Sequence, residues 1–273
     1  MKKATLWLFL AGFIFLGNSC KSEYEKVRVS GDPELILKKA FEYYEAEEYQ
    51  RAQSLFDLVL NNLRGRPEAE EVYYKYAYTH YYLNQYLLSA YYFKNFSNTF
   101  LNSQYREEAA FMSAYSNYKI SPIYRLEQSS TQDAIDEFQL FVNLFPQSTR
   151  VEQCNELIDE LRRKLEKKAF AEGELYFNLR QYQSSVISFD NLLRDYPETP
   201  DEERVLFLIA KSSFLLSKNS VVEKKIERYE QTVVRCNDFI QKYGESKYAK
   251  EVNEMLKESN DSIREVKKLL KIT

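Results

Sequence analysis

Histidine occurs once in 273 residues, cysteine three times, and glycine and proline six times each. A single histidine excludes His-rich metal centres and leaves one candidate for a His-dependent general base. Scarce Gly and Pro exclude turn-dense sheet folds. Glycine-rich phosphate loops are excluded as well, since neither G-x-G-x-x-G nor G-x-x-x-x-G-K-[ST] occurs. Charge of one sign is also lacking: 38 Lys+Arg face 41 Asp+Glu, so there is no electrostatic footprint for nucleic acid. What is abundant is Tyr and Phe, at 23 and 18. The composition reads as all-helical and aromatic-rich. It offers no nucleophile–base pair, metal set or cofactor motif, and so predicts no enzyme.

The first twenty residues read as a targeting segment. Lys2 and Lys3 precede an apolar run over 6–16, which is too short for a permanent membrane helix. Gly17-Asn18-Ser19 then leads directly into Cys20. This resembles the bacterial lipobox, which implies that Cys20 is acylated and becomes the first mature residue; an ordinary secretory signal is the alternative. Acyl chains would hold the protein at a membrane, each buried CH₂ contributing about 0.8 kcal/mol. Lys21 stands where an aspartate would mark inner-membrane retention, so outer-membrane sorting is expected. Residues 20–32 are polar and aperiodic and read as a flexible tether.

From Pro33 onward the sequence repeats. Small residues stand at Ala40, Ala77 and Ala114, each 37 places apart, and again at Gly173 and Ala210, also 37 apart. A second small residue followed four places on by an aromatic marks the second half of each unit: Ala52/Phe56, Ser89/Phe93, Ala134/Phe138 and Ser185/Phe189, with a weaker Thr232/Cys236. Four units close on a tetrad such as Phe145-Pro146-Gln147-Ser148 or Tyr196-Pro197-Glu198-Thr199; the first has Arg64-Gly65-Arg66-Pro67 instead. A small residue lets two helices approach, and a ring four places later fills the gap beside it. Pro or Gly stops one helix, and the following Ser or Thr can cap the next. No pair buries its apolar face alone, so the pairs stack. The pattern resembles the tetratricopeptide repeat. It implies an all-α fold, a superhelical stack of about five such helix pairs.

The register breaks between Ala114 and Gly173, which are 59 apart. Eight extra residues enter the third pair around 120–131, and the stretch 150–178 reads as one long helix. A long connection is expected near 218–223, and 248–270 reads as an amphipathic helix capping the C-terminal end of the stack. The expected organisation is a signal segment at 1–19, the tether at 20–32, repeats 1–3 over 33–147, and repeats 4–5 with the capping helix over 148–273. Nothing in the spacing pairs Cys154 with Cys236, so two buried free thiols are favoured over a bridge.

The first helix of each pair should line the concave surface of such a stack. Counted from the anchors, its positions in repeats 1–3 are Leu37, Phe41, Tyr44, Tyr74, Tyr78, Tyr81, Phe111, Tyr115 and Tyr118. Tyrosine offers an apolar face with a water-tolerant hydroxyl, which suits a groove for extended peptides. The alternative is that these rings are core between pairs. His80 has no partner at ligand spacing and reads as structural, and the Glu70/Glu71 cluster reads as solvated surface. The basic run over 162–168 is either a solvated face or a contact for lipid headgroups or an acidic partner.

Taken together, the lipobox, the five pairs and the third-pair insertion resemble the BamD family of outer-membrane assembly lipoproteins. The resemblance rests on Ser121-Pro122…Arg125…Gln128-Ser129…Thr131…Ala134…Phe138, on Asn102-Ser103-Gln104-Tyr105, and on Leu193-Arg194-Asp195-Tyr196-Pro197-Glu198-Thr199. It implies a scaffold that binds the barrel BamA through the C-terminal half and receives unfolded outer-membrane proteins in the N-terminal half. Other assembly lipoproteins are implied as partners. It further implies partner contacts at Arg204, beside the Asp-Tyr-Pro motif, and at Arg125 in the inserted loop. Another periplasmic repeat-scaffold lipoprotein, without a BamA partner, is the alternative reading.

Overall fold

The computed structural model describes residues 23–63 and 65–270; the signal segment and Cys20 lie outside them. Among the described residues there are twelve α-helices and no strand. In chain order they are α1 (Glu23–Arg28), α2 (Pro33–Glu45), α3 (Tyr49–Val59), α4 (Ala69–Tyr82), α5 (Tyr86–Thr99) and α6 (Arg106–Ile120). Then follow α7 (Ser129–Leu144), α8 (Val151–Asn178), α9 (Tyr182–Asp195), α10 (Glu202–Lys218), α11 (Val222–Tyr243) and α12 (Ala249–Leu269). Helices α2 to α11 form the five pairs, and α12 follows as the closing helix, so the fold is the expected all-α stack of tetratricopeptide-like pairs.

The repeat positions do the packing predicted for them. Ala40, Ala77, Ala114 and Ala210 are fully buried, as are Ala52, Ser89, Ala134, Ser185 and Thr232. Phe56, Phe93, Phe138 and Phe189 are 0% exposed, and Cys236 takes the ring's place in the fifth pair. Burying one such ring is worth about 1.5–3 kcal/mol. A further buried column continues the repeat. Seven places after each small residue stand Val59, Phe96, Phe141, Leu192 and Phe239, all buried. Gly173 is the anchor with least room: a Cβ there would lie 2.5–2.7 Å from three atoms of the Phe189 ring.

The turns repeat as well. In pairs 1, 2 and 4 the first helix ends with a residue in the left-handed region, Glu47, Asn84 and Arg180, at φ near 59°. The next N–H reaches back five residues: Glu48 to the Tyr43 carbonyl at 2.8 Å, Gln85 to His80 at 2.9 Å and Gln181 to Tyr176 at 2.9 Å. That is the Schellman closure, made here without glycine. Between pairs, the tetrad hydroxyls accept the N–H two residues on: Tyr105 to Ser103 (3.0 Å), Arg150 to Ser148 (3.1 Å), Asp201 to Thr199 (3.2 Å) and Tyr248 to Ser246 (3.0 Å). Ser103, Ser148 and Ser246 also donate to Glu70, Glu107 and Glu203, each in the first turn of an earlier helix. Glu70 therefore serves this turn rather than forming part of a free carboxylate pair.

Two expectations are corrected. The stretch 20–32 holds a helix at Glu23–Arg28 whose Val27 is buried and whose Tyr24 meets Tyr43 edge-on at 5.9 Å. Alternation of charge hid this, because one buried residue and one ring give no periodicity. The connection after α10 is short rather than long: α11 begins at Val222, and its first charged turns project from a helix.

The chain divides into two compact units. The first holds α1 to α7 with the opening of α8, through 156. The second holds the remainder of α8, α9 to α12, and the inserted loop 122–128. The break expected at 147/148 thus falls inside the long helix.

Candidate functional site

In the first unit, rings from α2, α4 and α6, joined through Tyr49 at the start of α3, form a connected series. Tyr44 meets Tyr49 edge-on at 5.6 Å, Tyr49 stacks on Tyr82 at 4.3 Å, and Tyr82 stacks on Tyr78 at 5.6 Å. Tyr78 touches Tyr74 at 5.0 Å and Tyr81 at 6.5 Å; Tyr81 lies 6.4 Å from Tyr115, which stacks between Phe111 and Tyr118 at 5.6 Å from each. Phe41, Tyr44, Tyr74, Tyr78, Tyr81, Tyr115 and Tyr118 are half-buried, with part of each ring in the core and part at the surface. Leu37 and Phe111 are buried, at 9% and 3% exposed.

Cations and hydroxyls fix this face. Lys75 Nζ lies 4.5 Å over Tyr44 and bonds Glu45 at 2.7 Å, joining α4 to α2. Tyr78 OH donates to Glu108 at 2.8 Å, and Arg150, paired with the same carboxylate, lies 4.0 Å over Phe111 and roofs it. Burial raises the phenols of Tyr44, Tyr74, Tyr78 and Tyr81 above the ordinary tyrosine value, so they remain neutral donors. The face can therefore offer flat apolar surface and neutral hydroxyls.

Sequence reasoning missed Tyr82, Tyr105 and the roofing residues. A signal existed in the tetrads. The residue two after the serine covers the ring three before the anchor: Tyr105 stacks on Tyr74 at 4.4 Å, Tyr248 on Phe207 at 4.2 Å, and Arg150 on Phe111. Tyr82, 44% exposed, lies just after the last anchor-based position and carries no repeat signal.

In the second unit, Arg204 on α10 is exposed, paired with Glu174 and 5.0 Å over Phe170, both on α8. Arg125 in the inserted loop is exposed and rests on its neighbour Tyr124, Nε to hydroxyl 3.1 Å. The basic run has a local role. Lys168 Nζ donates to the Leu126 carbonyl at 2.6 Å and Lys167 lies 4.8 Å over Tyr124, so α8 clamps the loop. Gln128 closes the loop from within, its amide donating to the Ile123 and Leu126 carbonyls at 2.9 and 3.0 Å. Ile123 and Leu126 remain exposed on it.

The remaining candidates are structural. His80 is buried, stacked on Tyr92 at 4.9 Å, with Nδ1 2.9 Å from the Gln53 amide nitrogen and 2.7 Å from Gln85 Oε1. Burial lowers its basicity. Cys154 and Cys236 are free and buried, and burial pushes their thiols up to about 11 and about 12. Among the described residues no cluster of His, Cys, Asp and Glu could hold a metal, and no helix is long and apolar enough to cross a membrane.

Among solved structures, the chain is similar to a TPR-repeat protein from Bacteroides fragilis, at 11% identity over 85% of this chain and 99% of that one, with a TM-score of 0.37. It is also similar to the Rap conjugation gene regulator of plasmid pLS20 in complex with the Phr* peptide, at 12% identity, 91% and 67% coverage and a TM-score of 0.33. No curated protein shows significant sequence similarity to the chain. A family profile described as "YfiO: Outer membrane lipoprotein" matches residues 30–225 and, overlapping, 176–267. The two matches take in every helix pair and most of α12, and the chain therefore belongs to the YfiO, or BamD, family of outer membrane lipoproteins.

Proposed function

We propose that this protein is a lipid-anchored, non-enzymatic scaffold of the outer-membrane β-barrel assembly machinery. Acylated Cys20 anchors it to the periplasmic face of the outer membrane. The C-terminal half docks a BamA-type barrel, with Arg204 and the Arg125 loop as contacts, and other assembly lipoproteins join the complex. The observation that carries this reading is the family match across all five helix pairs. In the N-terminal half, the surface parts of Phe41, Tyr44, Tyr74, Tyr78, Tyr81, Tyr115 and Tyr118 receive unfolded outer-membrane chains. Support comes from their half-burial and neutral hydroxyls, which let one surface accept many sequences. Phe111 supports that face from beneath.

Site-specific photocrosslinking in intact cells tests both halves. Probes at Arg204 should capture a BamA-type protein, and probes at Tyr78 should capture outer-membrane proteins in transit. Co-purification without any BamA-type partner, together with normal barrel levels after depletion, would reduce the reading to a scaffold lipoprotein of another envelope assembly.

A further inference from the structure

Within the first unit, successive pairs leave a cleft where two second helices flank the first helix of the later pair. The 37-residue register makes the two clefts comparable position by position. Between pairs 2 and 3 the cleft is filled. Arg106 lies across it, Nε donating to the Ser97 carbonyl at 3.2 Å and guanidinium 5.7 Å from the Phe145 ring centre. Lys94 bonds Glu137 at 2.9 Å, and Ser113 donates to the other Glu137 oxygen at 2.6 Å. Leu140 and Leu144 line the wall, and only about 60 Å³ remains open.

Between pairs 1 and 2 Arg106, Lys94, Leu140 and Leu144 are each replaced, while Phe100 keeps the place of Phe145, eleven after the small residue. Ala69 stands 37 places before Arg106, and Asp57 stands 37 before Lys94. Asn95 and Thr99 stand six and ten places after Ser89, where Leu140 and Leu144 stand six and ten after Ala134. With the arginine gone, a cleft of about 1040 Å³ opens among α3, α4 and α5. That matches the larger ligand pockets of proteins, about 300–1,000 Å³.

Its lining states what it would hold. Tyr73 and Tyr91 present rings to it, and Tyr91 is 58% exposed. Asn61, Asn95 and Thr99 make no side-chain hydrogen bond to another described residue. Asp57 uses one oxygen for Tyr76 OH at 3.1 Å. Arg66, the cation among the described lining residues, is paired with Glu34 at 2.8 Å. An amide tip donates and accepts side by side, which matches vicinal hydroxyls. A tyrosine face matches the C–H face of a sugar ring while its hydroxyl stays wet. Among the described lining residues no uncommitted cation awaits a phosphate, and Asp57, Asn61, Asn95 and Thr99 interrupt the apolar wall of Leu60, Phe96 and Phe100, which does not suit an acyl chain.

We propose that the cleft bounded by α3, α4 and α5 is a binding site for a neutral oligosaccharide. It is separate from the aromatic face of α2, α4 and α6, so its failure would leave the assembly reading intact. The test is titration calorimetry of the full chain, in a detergent without a sugar headgroup, against maltotriose, triacetylchitotriose and mannotriose, with a tyrosine-rich nonapeptide for comparison. At least one trisaccharide should bind with Kd of about 10 μM to 1 mM. Ala69→Arg and Asn95→Leu copy the filled cleft, and each should weaken that binding about tenfold or more. Tyr91→Ala, at an exposed ring that cannot endanger folding, should do the same with helicity unchanged. Three outcomes overturn the proposal: no trisaccharide binding by about 10 mM, sugar affinity indifferent to all three substitutions, or displacement of the sugar by the peptide.

Discussion

Replacing Gly173 by alanine sets two well-measured effects against each other. Glycine inside a helix is about 1 kcal/mol worse than alanine, so the backbone alone predicts that Gly173→Ala stabilises. The packing predicts the opposite. The new methyl would sit 2.5 Å from Phe189 Cε1 and 2.7 Å from Cδ1 and Cζ, where carbon pairs are comfortable at about 3.5–4.0 Å. Phe189 is 0% exposed and its ring centre is 5.8 Å from that of Phe170, so it must displace a packed neighbour to yield about 1 Å. The backbone carbonyl of Gly173 also accepts the Ser185 hydroxyl at 3.1 Å, tying α8 to α9 at the point that would have to open. Overpacking of this kind costs about 1–3 kcal/mol. The steric cost offsets the propensity gain and leaves a net loss of up to about 2 kcal/mol, read as a lower urea midpoint at unchanged m. Phe189→Leu should itself destabilise by opening a cavity, yet the double variant should be more stable than the sum of the two predicts, by about 0.5–3 kcal/mol. If Gly173→Ala melts at or above the parent, the close approach of α8 and α9 is not what selects glycine there.

Other predictions concern pH, turns and the exposed arginine. Burial holds the His80 imidazole below its ordinary value, so the unfolded chain takes up the proton first. Its contribution is complete above about pH 6.5 and is lost below it, at up to about 1.4 kcal/mol per pH unit. Urea midpoints of the parent should therefore fall more steeply with acid than those of His80→Gln, and parallel slopes would refute the assignment. Arg180, left-handed at φ 59°, should be improved by Gly and harmed by Val; thermal melts should show a gain of about 0.5 kcal/mol and a loss of at least ~1 kcal/mol. Ser246→Ala removes the acceptor of the Tyr248 N–H, and chemical denaturation should report a loss of about 1 kcal/mol. Arg204→Ala should change stability by less than about 0.5 kcal/mol, since its ion pair is exposed. Loss of BamA-type capture in that variant would then report an interface and not unfolding.

How much of this was legible follows from what each residue needs in order to act. The small residue and the ring four places later act within one helix face, so Ala52/Phe56 or Ser185/Phe189 are readable from spacing. The long helix α8 and the closing helix α12 are readable too, because nothing in them breaks periodicity. The half-buried rings of α2, α4 and α6 were legible as a column of positions. That Phe111 is roofed while Tyr115 keeps a surface was not, because Arg150 arrives from thirty-nine residues away. The clamp of Lys167 and Lys168 on loop 122–128 was hidden for the same reason, as a basic run looks alike whether solvated or engaged.

The sequence by itself determined the helix pairs, their register and the family, since these depend on local periodicity and on the size of residues at fixed intervals. The tertiary structure alone decided which side chains share a space. Ala69 and Arg106 are ordinary first-turn residues until the folded chain shows that both face the same kind of cleft. One then leaves it open and the other fills it. Volume between helices depends on every wall at once, and no single wall carries that information.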